Sequence, residues 1–303
     1  MKTGRPWISE QLCVQAASTC NLYCAYCQNP PTGELPPLGP ALARIKERGI
    51  KAVSLEGGGE PSINPAFFRT MDELKAAGVE HFMLSTNGVA LADKAFCRKA
   101  AARIDFFTVN FPSHLPDVYA AATRSVKFPL ALKGLMNLKA CGAEGRLRLF
   151  HIVSAFNFRT LPDFADWTGR NLPGAAFVNL TFVRGAGRAE NSPELLPSYT
   201  QAAPFIRLAL AKLKLAGIKA VAQNVPLCQL KDMAGFSFEF QRWKRGDAVL
   251  EEGVAERAAC PACRRCSLAA ACCGARKDYA RVHGFSELKP SKTGPGGIKA
   301  ERF

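Results

Sequence analysis

The residues best suited to chemistry in this 303-residue chain lie in one short stretch, CNLYCAYC, where Cys20, Cys24 and Cys27 have the spacing Cys-x3-Cys-x2-Cys. Soft thiolates at such short intervals suit iron–sulfur ligation. Three of them can hold three irons of a [4Fe–4S] cube and leave the fourth iron open. A structural zinc site prefers four ligands in paired Cys-x2-Cys units, and here the fourth would have to come from far along the chain. A second cysteine group lies near the C-terminus. Cys260, Cys263 and Cys266 are followed by Cys272 and Cys273, with Cys228 upstream. The twelve cysteines thus fall into two metal-like groups, plus singles at Cys13, Cys97 and Cys141. In a chain long enough to need no staples, this layout reads as reduced, metal-ligating thiols rather than a disulfide scaffold.

The elements that must position these groups can be read from apolar runs and their punctuation. LCVQAAST (12–19) is a first strand that delivers the cysteine loop from its C-terminal end. Further strands are expected at 52–61, 81–88, 104–113, 146–154 and 175–185, with helices over 66–77, 92–102, 130–141 and after Pro162. A long helix at 198–216 precedes a last strand at 217–226. Six strands, each followed by helical sequence or a loop, fit an α/β fold: an open, partial (β/α)6 TIM-like barrel spanning residues 1–224. Residues 225–303 make a small C-terminal domain around the second cysteine group. Sites in such barrels sit at the C-terminal strand ends.

The CNLYCAYC loop resembles the signature of the radical S-adenosylmethionine (SAM) superfamily. The resemblance implies that the open iron binds the amino and carboxylate groups of SAM. It also implies that one electron from the cluster cleaves SAM to methionine and a 5'-deoxyadenosyl radical, which takes a hydrogen atom from the substrate. Tyr26 would pack by the cluster and adenine. Gly58, Gly59 and Glu60 match a GGE-type motif that contacts the SAM amino group. Glycine permits close backbone approach and a carboxylate accepts from an ammonium. Asn87, in the TNG sequence after the third strand, is read equally as a SAM-site residue and as a simple Asn-Gly turn. Asn110 and Ser113, after the fourth strand, would reach the SAM ribose or carboxylate. Arg148 and Arg184 are candidates for a SAM carboxylate or an anionic substrate, with a solvated surface charge as the alternative.

The C-terminal segment resembles the auxiliary iron–sulfur region of twitch-type proteins, shortened relatives of the SPASM class. Cys263-x2-Cys266-x5-Cys272 followed by Gly274 carries the likeness, and Tyr279, Gly284, Glu287 and Pro290 resemble the tail. The resemblance implies one auxiliary [4Fe–4S] cluster, with Cys228 as the fourth ligand beside Cys263, Cys266 and Cys272. Cys260 could replace Cys228 or Cys263, and Cys273 could replace Cys272. The aromatic and basic residues at 236–245 are read as a loop that packs the small domain.

Composition narrows the partners. The formal charge is +15; two thiolate-bound clusters would lower it to about +12. That favours an anionic partner without choosing one. No stretch is long and apolar enough to cross a membrane, and MKTGRPWISEQL lacks a signal-peptide core, so the expected location is cytoplasmic. The expected partners are a low-potential electron donor such as flavodoxin or ferredoxin, and a peptide or anionic small-molecule substrate. The leading expectation for activity is oxidative modification or crosslinking of a peptide or protein side chain. Dehydrogenation or rearrangement of an anionic small molecule comes next. RNA modification is prompted only by charge, and an electron-carrying scaffold is disfavoured by the open site together with GGE.

Overall fold

The computed structural model describes residues 11–247 and 256–301. Seven strands form one sheet in chain order: β1 (Gln11–Val14), β2 (Ala52–Leu55), β3 (His81–Thr86), β4 (Phe106–Asn110), β5 (Leu147–Val153), β6 (Phe177–Phe182) and β7 (Ala220–Gln223). Pairing is parallel from β1 to β4 and between β6 and β7. Parallel neighbours need crossover connections. These run through α1 (Gly39–Arg48), α2 (Phe67–Ala76), α3 (Lys94–Ala101), α4 (Pro116–Thr123), α5 (Phe128–Ala140), α6 (Leu161–Asn171) and α7 (Tyr199–Leu215). β1 and β7 are the edges, so the sheet is open and the fold is an α/β partial barrel. The last strand expected at 217–226 is β7, which pairs in parallel with β6 and extends the six barrel strands, from Val178↔Ala220 to Thr181↔Gln223.

The chain divides into two compact units. One comprises Met1–Cys24, Asn29–Phe111 and Thr123–Leu149; the other comprises Ala25–Gln28, Pro112–Ala122 and Phe150–Phe303. The division falls within the three-cysteine loop and within β5. In the first unit all four residues of β2 are buried, as expected for a strand covered on both faces. Phe67, Met71 and Leu74 of α2 and Phe107 of β4 are also buried. Helix α3 starts where the Asp93 side chain accepts from Phe96 N at 2.7 Å. Gly134 lets α5 approach the loop after β3: an added Cβ would lie 2.1 Å from the Gly88 carbonyl oxygen.

In the second unit α7 begins with a capping box in which Ser198 and Gln201 exchange side-chain and backbone bonds. The tail residues that carried the family likeness anchor here. The Tyr199 and Tyr279 rings stack with centroids 3.9 Å apart. Glu287 accepts from Tyr199 N at 3.2 Å and Thr200 N at 3.1 Å, and also from the Tyr279 hydroxyl. A carboxylate at a helix N-terminus satisfies donors that the helix itself leaves open. The aromatic and basic stretch expected to be a loop is largely a helix, α9 (Phe238–Arg245), after the short α8 (Leu227–Leu230). Ser237 caps α9 by accepting from Phe240 N at 3.2 Å, and Gly246 (φ +75°) ends it. Phe240 is fully buried.

Candidate functional site

In the first unit, the turn after β2 packs onto the segment that leads into the cysteine loop. A Cβ on Gly59 would lie 2.3 Å from the Thr19 carbonyl oxygen, and one on Gly58 would meet the Gln15 amide at 2.1 Å. Only glycine allows this approach. Glu60 N donates to Thr19 O at 2.8 Å and ties the same two stretches.

The Glu60 side chain is 3% exposed and its oxygens are taken up by the chain's own donors. One oxygen accepts from Ser62 N at 3.2 Å, Ser62 Oγ at 2.5 Å and Thr86 Oγ1 at 2.6 Å. The other accepts from Asn87 N at 2.6 Å. Burial pushes its pKa up, while these bonds act the other way. Through these bonds Glu60 fixes the exit of β3 against the exit of β2.

Asn87, so fixed, donates Nδ2 to Asn21 Oδ1 at 2.7 Å and lies 3.9 Å from Cys20 Sγ. Leu22 N approaches the same sulfur at 3.4 Å. N–H groups aimed at a cluster thiolate are the kind of neighbour that tunes such a centre. The structure thus gathers Gly58, Gly59, Glu60 and Asn87 around Cys20. Asn21, which sequence reasoning missed, is the link; its carbonyl also accepts from Lys127 Nζ at 3.1 Å. Cys24 belongs to this unit and is half-buried. Asn110 is the last residue of β4.

Arg148 is placed differently from its expectation. It is the second residue of β5, near the strand's N-terminal end rather than the mouth. It donates Nε and Nη2 to Thr108 Oγ1 at 3.0 and 2.6 Å. Burial lowers its pKa to about 10, with the Glu56 charge acting against that. Glu56, also missed in the sequence, accepts from Cys13 Sγ at 2.9 Å, Ser54 Oγ at 2.8 Å and Ser85 Oγ at 2.9 Å, linking β1, β2 and β3.

The second unit holds Cys27 and Tyr26. Tyr26 is buried. The Cys27 carbonyl accepts from Arg188 N at 2.9 Å, an approach that Gly187 permits. Ser113 is buried and accepts from Leu115 N at 2.9 Å, which starts the turn into α4. Arg184 follows β6 and is ion-paired with Glu256.

The same unit contains a cavity of about 100 Å³ whose walls include Cys228, Cys263, Cys266 and Cys272, together with apolar side chains such as Leu268 and Leu288. Cys260 and Cys273 are not among its lining residues. Cys260 is instead the N-cap of the turn Pro261–Arg264, its sulfur 3.4 Å from Cys263 N. Backbone N–H groups point at the cavity sulfurs: Leu227 N and Gly274 N at Cys272, at 3.3 and 3.4 Å, and Ser291 N at Cys266, at 3.3 Å. The Cys272 thiol is held down to about 7, first by the Cys273 hydrogen bond and then by these amides, against burial. Burial pushes Cys228 up, and burial with the Cys260 contact pushes Cys263 up to about 12.

Among the described residues no three Cys, His, Asp or Glu side chains converge as a site for a single metal ion. None of the twelve cysteines is in a disulfide.

The fold and these sites define an open α/β barrel protein with two thiol-rich segments. The model of the radical SAM superfamily matches residues 14–167, just over half of the chain, and the chain belongs to that superfamily. It is 31% identical over 170 residues to a GTP 3',8-cyclase of Petrotoga mobilis, covering 52% of each chain. It is 29% identical over 192 residues to the mycofactocin maturase MftC of Mycobacterium ulcerans, covering 60% of this chain and 50% of that one. The chain thus spans about half the length of the curated relatives it matches. Among solved structures, the FeFe-hydrogenase maturase HydG from Carboxydothermus hydrogenoformans superposes with a TM-score of 0.53 at 14% identity, covering 74% of this chain and 56% of that one. That likeness concerns the fold alone. Among the described residues no helix is long and apolar enough to cross a membrane.

Proposed function

We propose that this protein is a radical SAM enzyme that oxidatively modifies or crosslinks a side chain of a peptide or protein, using one auxiliary [4Fe–4S] cluster. The observation that carries the two-cluster reading is a cavity in the second unit walled by Cys228, Cys263, Cys266 and Cys272. A cluster on Cys20, Cys24 and Cys27 would supply, with bound SAM, the electron that yields the 5'-deoxyadenosyl radical. The chain's own residues then have distinct tasks. The amides of Leu22 and Asn87 face the Cys20 sulfur. Gly58 and Gly59 bring bare backbone to the SAM side, and Glu60 holds that turn and Asn87 in register. Tyr26, Asn110 and Ser113 complete the SAM-facing set. In the second unit, backbone N–H groups stabilise the thiolate form of Cys272, the form that ligates iron.

The likeness to a maturase supports the peptide reading. A small anionic substrate is the second reading, favoured by the match to a protein named GTP 3',8-cyclase and by the charge of +15. In either case the partner is a low-potential electron donor such as flavodoxin or ferredoxin, and oxygen-sensitive thiolate chemistry fits a cytoplasmic location. The test is anaerobic reconstitution, reduction and assay for 5'-deoxyadenosine. The product is expected from the wild type and lost when Cys20, Cys24 or Cys27 becomes Ala. Undiminished product in all three variants would reject the assignment.

A further inference from the structure

Among the described residues, the wall of the four-thiol cavity carries two basic side chains, Arg257 and Lys289, and no carboxylate. Lys289 is exposed, and it is its backbone N–H that meets Cys228. Arg257 is half-buried, and its backbone is pinned. It forms an antiparallel bridge with Arg276, flanked by Ala258 N donating to Ala275 O at 2.7 Å and Lys277 N donating to Glu256 O at 2.8 Å. This short ladder lays Arg257 against the segment that leaves Cys272. Its side chain packs beside Gly274: a Cβ there would stand 3.4 Å from Arg257 Cδ and 3.7 Å from Nε. Gly274 lines the same cavity, and its own N–H faces the Cys272 sulfur at 3.4 Å.

Neighbouring arginines are spent on ion pairs: Arg184 and Arg276 with Glu256, Arg276 also with Asp278, and Arg242 with Asp247. Among the described residues no carboxylate oxygen lies within 4.0 Å of the Arg257 guanidinium. Its Nη2 donates to the Cys272 carbonyl at 2.6 Å. Its Nε is buried and has no hydrogen-bond partner among the described residues. Buried N–H groups are nearly always paired, and a partly buried cation is costly without negative charge nearby. A four-iron cube on four thiolates carries that negative charge, and its sulfurs accept hydrogen bonds.

We propose that Arg257 donates its Nε–H to the auxiliary cluster and raises that cluster's reduction potential. This role, which rests on the auxiliary-cluster reading, sets how readily the cluster accepts an electron. Reduction adds one negative charge to the cluster, so a nearby cation and donor favour the reduced form over the oxidised one. The test is a redox titration followed by electron paramagnetic resonance on the full-length triple variant Cys20→Ala, Cys24→Ala, Cys27→Ala, in which the auxiliary cluster alone is expected. Adding Arg257→Met should make reduction about tenfold less favourable, a shift of about 60 mV to more negative potential for a one-electron couple. Arg257→Lys keeps the charge and should stay within about twofold of the parent, or about 20 mV. Should Arg257→Met fail to retain iron, Arg257→Gln, neutral but still able to donate to the Cys272 carbonyl, carries the same comparison and should also move to more negative potential. An unchanged potential in the neutral variants would overturn the proposal. So would an equal shift in Arg257→Lys and the neutral variants, or loss of the cluster from all three, since either would make Arg257 a support of the wall alone. A parent chain with no four-iron cluster would refute the auxiliary-cluster reading, and this role with it, before any Arg257 variant is compared.

Discussion

Replacing Glu60 with Gln tests whether this carboxylate is an internal tie. Its two oxygens serve four donors: Ser62 N, Ser62 Oγ and Thr86 Oγ1 on one, Asn87 N on the other. Glutamine keeps one oxygen, which can retain the threefold cluster. Its NH2 group then faces the Asn87 amide, donor against donor. One buried donor left unmade costs about 1–3 kcal/mol. Glu60→Ala strips all four donors and should cost about 3–5 kcal/mol, less than the sum of single bonds because these groups share partners. The assay is the urea midpoint of anaerobic reconstituted protein at constant slope, with hydrogen-exchange protection at Asn87 as the local readout. A Glu60→Gln protein with wild-type stability and Asn87 protection, but SAM binding about tenfold weaker, would refute the tie and restore a direct ligand contact.

Gly59→Ala should also be destabilising, because the new Cβ would lie 2.3 Å from the Thr19 carbonyl oxygen; a loss of about 2–4 kcal/mol in urea unfolding is expected, and an unchanged midpoint would contradict the packing described. Cys228→Ser should lower auxiliary iron content, whereas Cys260→Ser should not, since only Cys228 lines the four-thiol cavity; iron analysis of the two variants decides. Asp278 sets an acid sensitivity. Burial raises its pKa, but the Arg276 hydrogen bond and charge and the Gly185 amide outweigh that and leave it lowered. Its stabilisation is therefore present above the ordinary carboxylate value near about 4 and is lost as pH falls through the lowered folded value. The gap in urea midpoint between wild type and Asp278→Asn should shrink over that window, and a gap independent of pH would contradict the pairing.

Local signals in the sequence reached as far as local physics does. The apolar runs pointed to all seven strands of the sheet, and the cysteine spacing located both thiol-rich segments. The GGE turn was visible because glycine after a strand marks close backbone approach. What Glu60 touches was not visible: Thr86 and Asn87 lie 26 and 27 positions away, and no periodicity encodes that meeting. Arg148 was expected at the mouth, but its register within β5 places it low in the strand with Thr108. Helix α9 was read as a loop because its aromatic and basic residues mask the Ser237 cap and Gly246 stop. Helix α4 was missed altogether, its run PDVYAAAT lying between Pro116 and a turn. The paired charges of Arg184 and Glu256 lie 72 positions apart, beyond the reach of any local signal.

The most direct test of the account is iron and sulfide analysis with Mössbauer spectroscopy on wild-type protein and on the triple variant Cys20→Ala, Cys24→Ala, Cys27→Ala. Two four-iron clusters give about eight irons per wild-type chain, and the triple variant should keep about four, with the spectrum of an intact cube. A triple variant that holds no iron but stoichiometric zinc would contradict the claim that the four-thiol cavity is an iron–sulfur site.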